Sequence, residues 1–160
     1  MSSGVPVTVT TRHGRRRASS GASFEPVMGY ARAVRTSAVI AVSGTVGMNA
    51  DGSYPSGIGA QTRRALTIIR TALTALGGRP EDVIRTRMFV TDVSRWRDVA
   101  EIHGEMFADI RPAATIVEVA RLIDPEALIE IEADAIVPSR RRRPRSSARR
   151  GRRPRSAAAP

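Results

Sequence analysis

Apolar and polar residues alternate most cleanly over Leu128–Val137. Ile129, Ile131, Ala133 and Ala135 take one set of positions and Glu130, Glu132 and Asp134 the other. A period of two puts the two sets on opposite faces of a β-strand. Three acids lined up on one face repel one another, so at least one is expected to meet a basic partner or a wet pocket; a solvated outer face is the plainer alternative. A second strand-like run, Thr115–Val119, lies upstream across a polar connection containing Asp124 and Pro125, where the proline interrupts any backbone ladder.

Further upstream, Val83–Val90 alternates too, with Ile84, Thr86, Met88 and Val90 expected to face the core. The runs ARAV and VIAVSG between Tyr30 and Ser43 suit an antiparallel hairpin, and Asn49–Gly59 follows as a loop rich in Gly, Ser and Pro. The period then changes. Over Gly59–Leu76 the residues Ala65, Leu66, Ile69, Ala72, Leu73 and Leu76 recur at helical spacing, Arg63, Arg64 and Arg70 lie off that stripe, and Gly77–Gly78 stops it. A second helix is expected from about Ser94, capped by Ser94 or Asp92, with Trp96, Val99, Ile102, His103 and Met106 as its apolar side; it ends before Arg111–Pro112. Strands and helices in this order predict an α+β domain whose two helices cover one face of a sheet. The opposite face then needs a cover of its own.

Charge divides the chain. Its net charge is +11, yet residues 1–20 and 140–160 hold fourteen arginines and no acid, while the middle sets twelve arginines against fifteen acids. The basic character therefore belongs to the ends. Residues 1–23 lack apolar periodicity and read as a flexible basic arm, 24–138 as the folded domain, and 139–160 as a disordered Arg-rich tail. With 160 residues there is room for one core. Cysteine is absent, which excludes disulfides and thiolate metal sites, and the two histidines lie far apart in sequence. Apolar runs fall short of the roughly 20 residues that span a bilayer, and no signal-like core follows the first arginines, so a soluble cytoplasmic protein is expected.

The run PAATIVEVARL followed by EIEADAIV resembles the end of the RidA/YjgF family of small trimeric proteins, whose active members hydrolyse reactive enamines and imines. GYARAV at Gly29–Val34, VSGTVG at Val42–Gly47 and FVTDVSRW at Phe89–Trp96 extend the likeness across about residues 24–138. The resemblance implies chorismate mutase-like subunits with a mixed sheet, packed as a homotrimer around a central barrel, with sites between neighbours. It also implies hydrolysis of a small reactive imine or enamine by water addition, with no metal and no organic cofactor. A non-catalytic trimer that binds a metabolite in the same pocket is the alternative.

Carried over position by position, the family's ligand shell falls on Tyr30, Ser43 with Gly44, and Glu130, while its carboxylate-binding arginine is replaced by Ala114. A guanidinium holds a carboxylate through paired charge-assisted hydrogen bonds, and alanine cannot, so small 2-imino acids are expected to be poor substrates. Glu130 is the candidate general acid or water-orienting base, set against an outward-facing strand acid. Tyr30 could orient the ligand or pack at a subunit edge, and Ser43–Gly44 is also common turn chemistry. Arg32, two residues after Tyr30, could restore the missing charge; a solvated edge arginine is its plain reading. His103 reads as a satisfied, partly buried histidine. The Arg-rich tail could make nonspecific contacts with a polyanion, but it has no aromatic to stack on bases.

Overall fold

The computed structural model describes residues 6–138. Seven strands form one mixed sheet: β1 (Thr8–Arg12), β2 (Arg15–Ser19), β3 (Ala33–Thr36), β4 (Val39–Val46), β5 (Val83–Val90), β6 (Ala113–Glu118) and β7 (Ile129–Ile136), in the spatial order β1-β2-β3-β4-β7-β5-β6. Only β5 and β6 run parallel, joined by the crossover helix α3 (Trp96–Phe107). A one-turn helix α1 (Phe24–Met28) precedes β3, and the long helix α2 (Ile58–Ala75) connects β4 to β5.

The period-two reading of β7 matches its burial. Ile129, Ile131, Ala133 and Ala135 are buried under the helices, while Glu130, Glu132 and Asp134 point to the other face. β7 sits between β4 and β5, so its apolar half anchors the core from the middle of the sheet. Helix α2 lays Ala65, Leu66, Ile69, Ala72 and Leu73 onto that surface. Each fully buried Leu or Ile contributes about 1.5–3 kcal/mol. Helix α3 adds Val99 and Phe107; Asp92 caps the turn before it, accepting from the Ser94 amide at 2.9 Å. Trp96, placed on the apolar side by spacing, remains 44% exposed.

Two irregularities move side chains off the expected faces. A register shift between Val83 and Arg85 turns Val83 into the core and Ile84 outward, so Ile84 is not a core residue although Thr86, Met88 and Val90 are. A bulge in β4 sets Ser43 and Gly44 against one residue of β7. The strands expected from Thr115 and Leu128 begin at Ala113 and Ile129.

The flexible arm expected over residues 1–23 needs correction across Thr8–Ser19, which folds as a hairpin and extends the sheet along β3. Its sequence carries arginine and serine where strand patterning would carry apolar residues, and polar contacts hold it instead. Arg16 donates to the carbonyls of Ala75 at 3.1 Å and Leu76 at 3.2 Å, Arg35 donates to Leu76 at 2.7 Å, and Ala18 is fully buried against the core. The two guanidinium groups thereby satisfy carbonyls that the end of α2 leaves without intrahelical partners. The tail expected over 139–160 lies outside the described residues.

Removing residues 1–20 takes away the β2–β3 ladder, Ala18 and the Arg16 contacts. Charged hydrogen bonds contribute about 1.5–3 kcal/mol each. Thermal denaturation should therefore show a clear loss of stability for a chain starting at residue 21. A chain starting at residue 15, which keeps β2, should lose much less.

Candidate functional site

The acidic face of β7 meets the β4 bulge. Glu130 pairs with Val46 on β4 and Phe89 on β5, and its carboxylate lies over Gly44. A Cβ on Gly44 would stand 1.9 Å from Glu130 Oε1, so the close approach requires glycine. The bulge is what offers bare backbone to the carboxylate here. Half-buried, Glu130 is pushed above the usual carboxylate range by desolvation first and by the Glu132 charge second, with Arg32 pulling the other way.

Tyr30 reaches the site from the chain turn after α1. Gly29, at φ 70°, ends that helix in the left-handed conformation and turns the following chain toward β3. Arg32 is turned inward at 6% exposed and is not the solvated edge residue that its type suggested. Its guanidinium donates to Gly44 O at 2.5 Å, Thr45 Oγ1 at 2.9 Å and Tyr30 Oη at 3.0 Å. With these donors committed, Arg32 is poorly placed to grip a ligand carboxylate. Ser43 donates its hydroxyl to Ala31 O at 2.8 Å, which leaves the oxygen only as an acceptor.

The remaining acids of β7 have a basic partner. Arg87 on β5 bridges Glu132 at 3.3 Å and Asp134 at 3.1 Å. These half-exposed pairs hold the two neighbours of Glu130 in place and contribute little to stability. Tyr54, in the loop before α2, is a residue that sequence reasoning missed. Burial, followed by the carboxylates of Asp124, Glu126 and Glu130, pushes its phenol up to about 12, so it stays a neutral donor beside the acidic face. Its signal in the sequence was an aromatic within an otherwise Gly-, Ser- and Pro-rich loop.

Ala114 stands apart from this cluster. It pairs with Thr86 on β5, which in turn pairs with the buried Ala133, so it shares the helix-covered face while Glu130 occupies the other. Two strand spacings, about 10 Å, also separate β6 from β7. Ala114 lines an apolar groove of about 300 Å³ with Trp96, His103, Phe107, Met88 and Ile116. His103 shares a 3.0 Å hydrogen bond with Thr86 Oγ1, and burial lowers its pKa, so the imidazole is neutral there. One chain thus gathers Tyr30, Arg32, Ser43, Gly44 and Glu130 and holds Ala114 elsewhere.

Comparison with known proteins follows the same outline. The family model described as Endoribonuclease L-PSP matches residues 20–137. A solved structure from Mycobacterium tuberculosis, a member of the YjgF/YER057c/UK114 family, is 48% identical and superposes with a TM-score of 0.72 over 77% of this chain and 99% of that one. The 3-aminoacrylate deaminase RutC of Acinetobacter baylyi is 32% identical over 114 residues, 70% of this chain and 90% of its own. A protein of Streptomyces coelicolor is 33% identical over 121 residues, 75% of this chain and 90% of its own.

Because Glu130 holds its proton more tightly in the folded chain than in the unfolded one, its ionisation costs stability at neutral pH. That cost fades as pH falls through the folded pKa and is gone below the unfolded one. Glu130→Gln should therefore melt higher than wild type at pH 7, and the two melting curves should converge on acidification. A Gln variant that is less stable at pH 7 would contradict this account of the carboxylate.

Proposed function

The chain belongs to the endoribonuclease L-PSP family, the RidA/YjgF proteins, and from that membership we propose that it hydrolyses a small reactive imine or enamine at a pocket completed by a second copy of itself. The observation that carries this reading is Glu130, a half-buried carboxylate with raised proton affinity lying over a glycine. A carboxyl poised in this way can protonate the imine nitrogen, or the enamine carbon, and its conjugate base can then take a proton from water. Water adds to the carbon of the C=N bond, the carbinolamine forms, and its collapse releases ammonia and leaves a carbonyl. Tyr30 and Ser43 orient the ligand, one as donor and the other as acceptor.

A homotrimer accounts for the separation of Ala114 from Glu130. The sheet face away from the helices exposes Val39, Ile84, Val117 and Ile136, each more than 40% accessible, and such a face favours burial against another copy. The β6 edge of a neighbour would then bring Ala114 and its apolar groove to the acidic cleft. With alanine there and Arg32 engaged internally, the pocket suits an uncharged ligand and disfavours a small 2-imino acid. The missing charged hydrogen bonds amount to about 1.5–3 kcal/mol, or a factor of roughly ten to a hundred and fifty.

The test pairs two substrates generated in situ, 2-iminopropionate and the uncharged imine that an amine oxidase forms from benzylamine. Wild type should accelerate hydrolysis of the second and act poorly on the first, Ala114→Arg should raise activity on 2-iminopropionate, and Glu130→Gln should abolish both. Binding of either without turnover would replace the enzyme with a metabolite-binding protein. Light scattering should return three subunits; a stable monomer at micromolar concentration would rule out the shared pocket.

A further inference from the structure

Arg32 is the least exposed arginine among the described residues, and its surroundings are built of acceptors. A guanidinium only donates hydrogen bonds, so each group it touches must turn a lone pair toward it. The Tyr30 hydroxyl accepts from Nη2 at 3.0 Å, and its own proton is therefore directed away from Arg32. Gly44 O and Thr45 Oγ1 accept from Nη1, and the Thr45 hydroxyl passes its proton to Ser43 O at 2.7 Å, so one cation fixes both sides of the bulge under Glu130. The guanidinium carbon lies 5.4 Å from the centre of the Tyr30 ring, which fixes the ring as well as its hydroxyl.

Behind Arg32 stands the buried carboxylate of Glu25. Ser20 lies between them, 3.4 Å from Arg32 Nε, and gives its hydroxyl and amide to Glu25 Oε1 at 2.8 and 2.9 Å; the Ser19 hydroxyl binds the other oxygen. Burial pushes Glu25 up, but these hydrogen bonds and the Arg32 charge outweigh it and hold the carboxyl below its usual range. An ionised Glu25 is what permits a charged arginine in this interior position.

We propose that Arg32 is a positioning residue that fixes the Tyr30 hydroxyl as a donor into the cleft and locks the Ser43–Gly44 bulge beneath Glu130, with Glu25 as its buried counter-charge. This rests on the reading of Glu130 as the reacting carboxylate. The charged and titratable groups bearing on Glu130 are Glu132 on its own strand, Arg32 from the segment before β3 and Tyr54 from the loop before α2. Arg87 is engaged with Glu132 and Asp134. Arg32 is thus the cation that favours the ionised form of Glu130, and a neutral replacement must move Glu130 toward retaining its proton.

The first measurement needs no substrate: titration of Glu130 by carbon NMR in the full chain, for wild type, Arg32→Gln and Arg32→Lys. The Gln variant should shift the Glu130 midpoint upward, and the Lys variant, which keeps the charge, should restore most of it. An unmoved midpoint in Arg32→Gln would overturn the proposal even if melting temperature falls, because a merely structural arginine would lower stability alone. The second measurement is turnover of the benzylamine-derived imine. Arg32→Lys cannot make the three-way contact, so kcat should fall about tenfold with KM little changed, and adding Tyr30→Phe should cost nothing more. Independent, additive losses would overturn the link between Arg32 and Tyr30. Should Arg32→Gln fail to fold, Arg32→Lys with and without Tyr30→Phe still decides the matter. If no imine is turned over but the titration behaves as stated, the deaminase reading fails and the positioning role stands.

Discussion

The alternation along β7 is the constraint from which the rest of the molecule follows. Four apolar side chains on one face bind the strand to α2 and fix its register between β4 and β5. A slip of one residue would bury three carboxylates and expose the core, so the register has no near competitor. The same rigidity places Glu130, Glu132 and Asp134 on the opposite face whether or not they are comfortable there. Arg87 relieves two of them, and the third remains half desolvated over Gly44. Core packing thus keeps Glu130 in a setting its own ionisation opposes.

Features with a short period were open to reading in the sequence. The β7 alternation, the α2 stripe and the separation of Glu130 from its apolar neighbours all follow from residues within a few positions of one another, and the structure agrees. The hairpin Thr8–Ser19 did not follow, because its stability comes from arginine contacts to the end of α2, some sixty residues away in the chain. Arg32 was hidden for the same reason. An arginine is presumed exposed, and the acceptors that reverse the presumption, Gly44 O and Thr45 Oγ1, lie twelve and thirteen residues further on. Ala114 could be recognised as a departure from the family pattern, but no local signal told which face of the sheet it shares.

Burial and charge act in opposite directions on the two carboxylates near Tyr30, and the contrast shows how the site is tuned. Glu25 is the more enclosed of the two, yet hydrogen bonds from Ser19 and Ser20 and the Arg32 charge keep it ionised. Glu130 feels desolvation and a neighbouring acid with only Arg32 in opposition, and it moves upward. One arginine therefore serves two acids unequally. The one supplied with hydroxyl donors becomes a permanent anion, and the one left with bare backbone becomes a group able to give up or take a proton near neutral conditions.

That division of labour bears on what the cleft can select. A substrate carboxylate entering the site would meet Glu130, Glu132 and Asp134 on one strand, with Arg87 already held by two of them and Arg32 enclosed behind Tyr30. Freeing Arg32 for such a ligand would abandon Glu25 as a buried charge without its partner, a change that costs several kcal/mol. A second anion is disfavoured on both counts, by repulsion in front and by the cost of releasing the cation behind. An arginine at position 114 would have supplied a separate cation without disturbing the Glu25–Arg32 pair, which is why its replacement by alanine matters more here than the number of arginines in the chain.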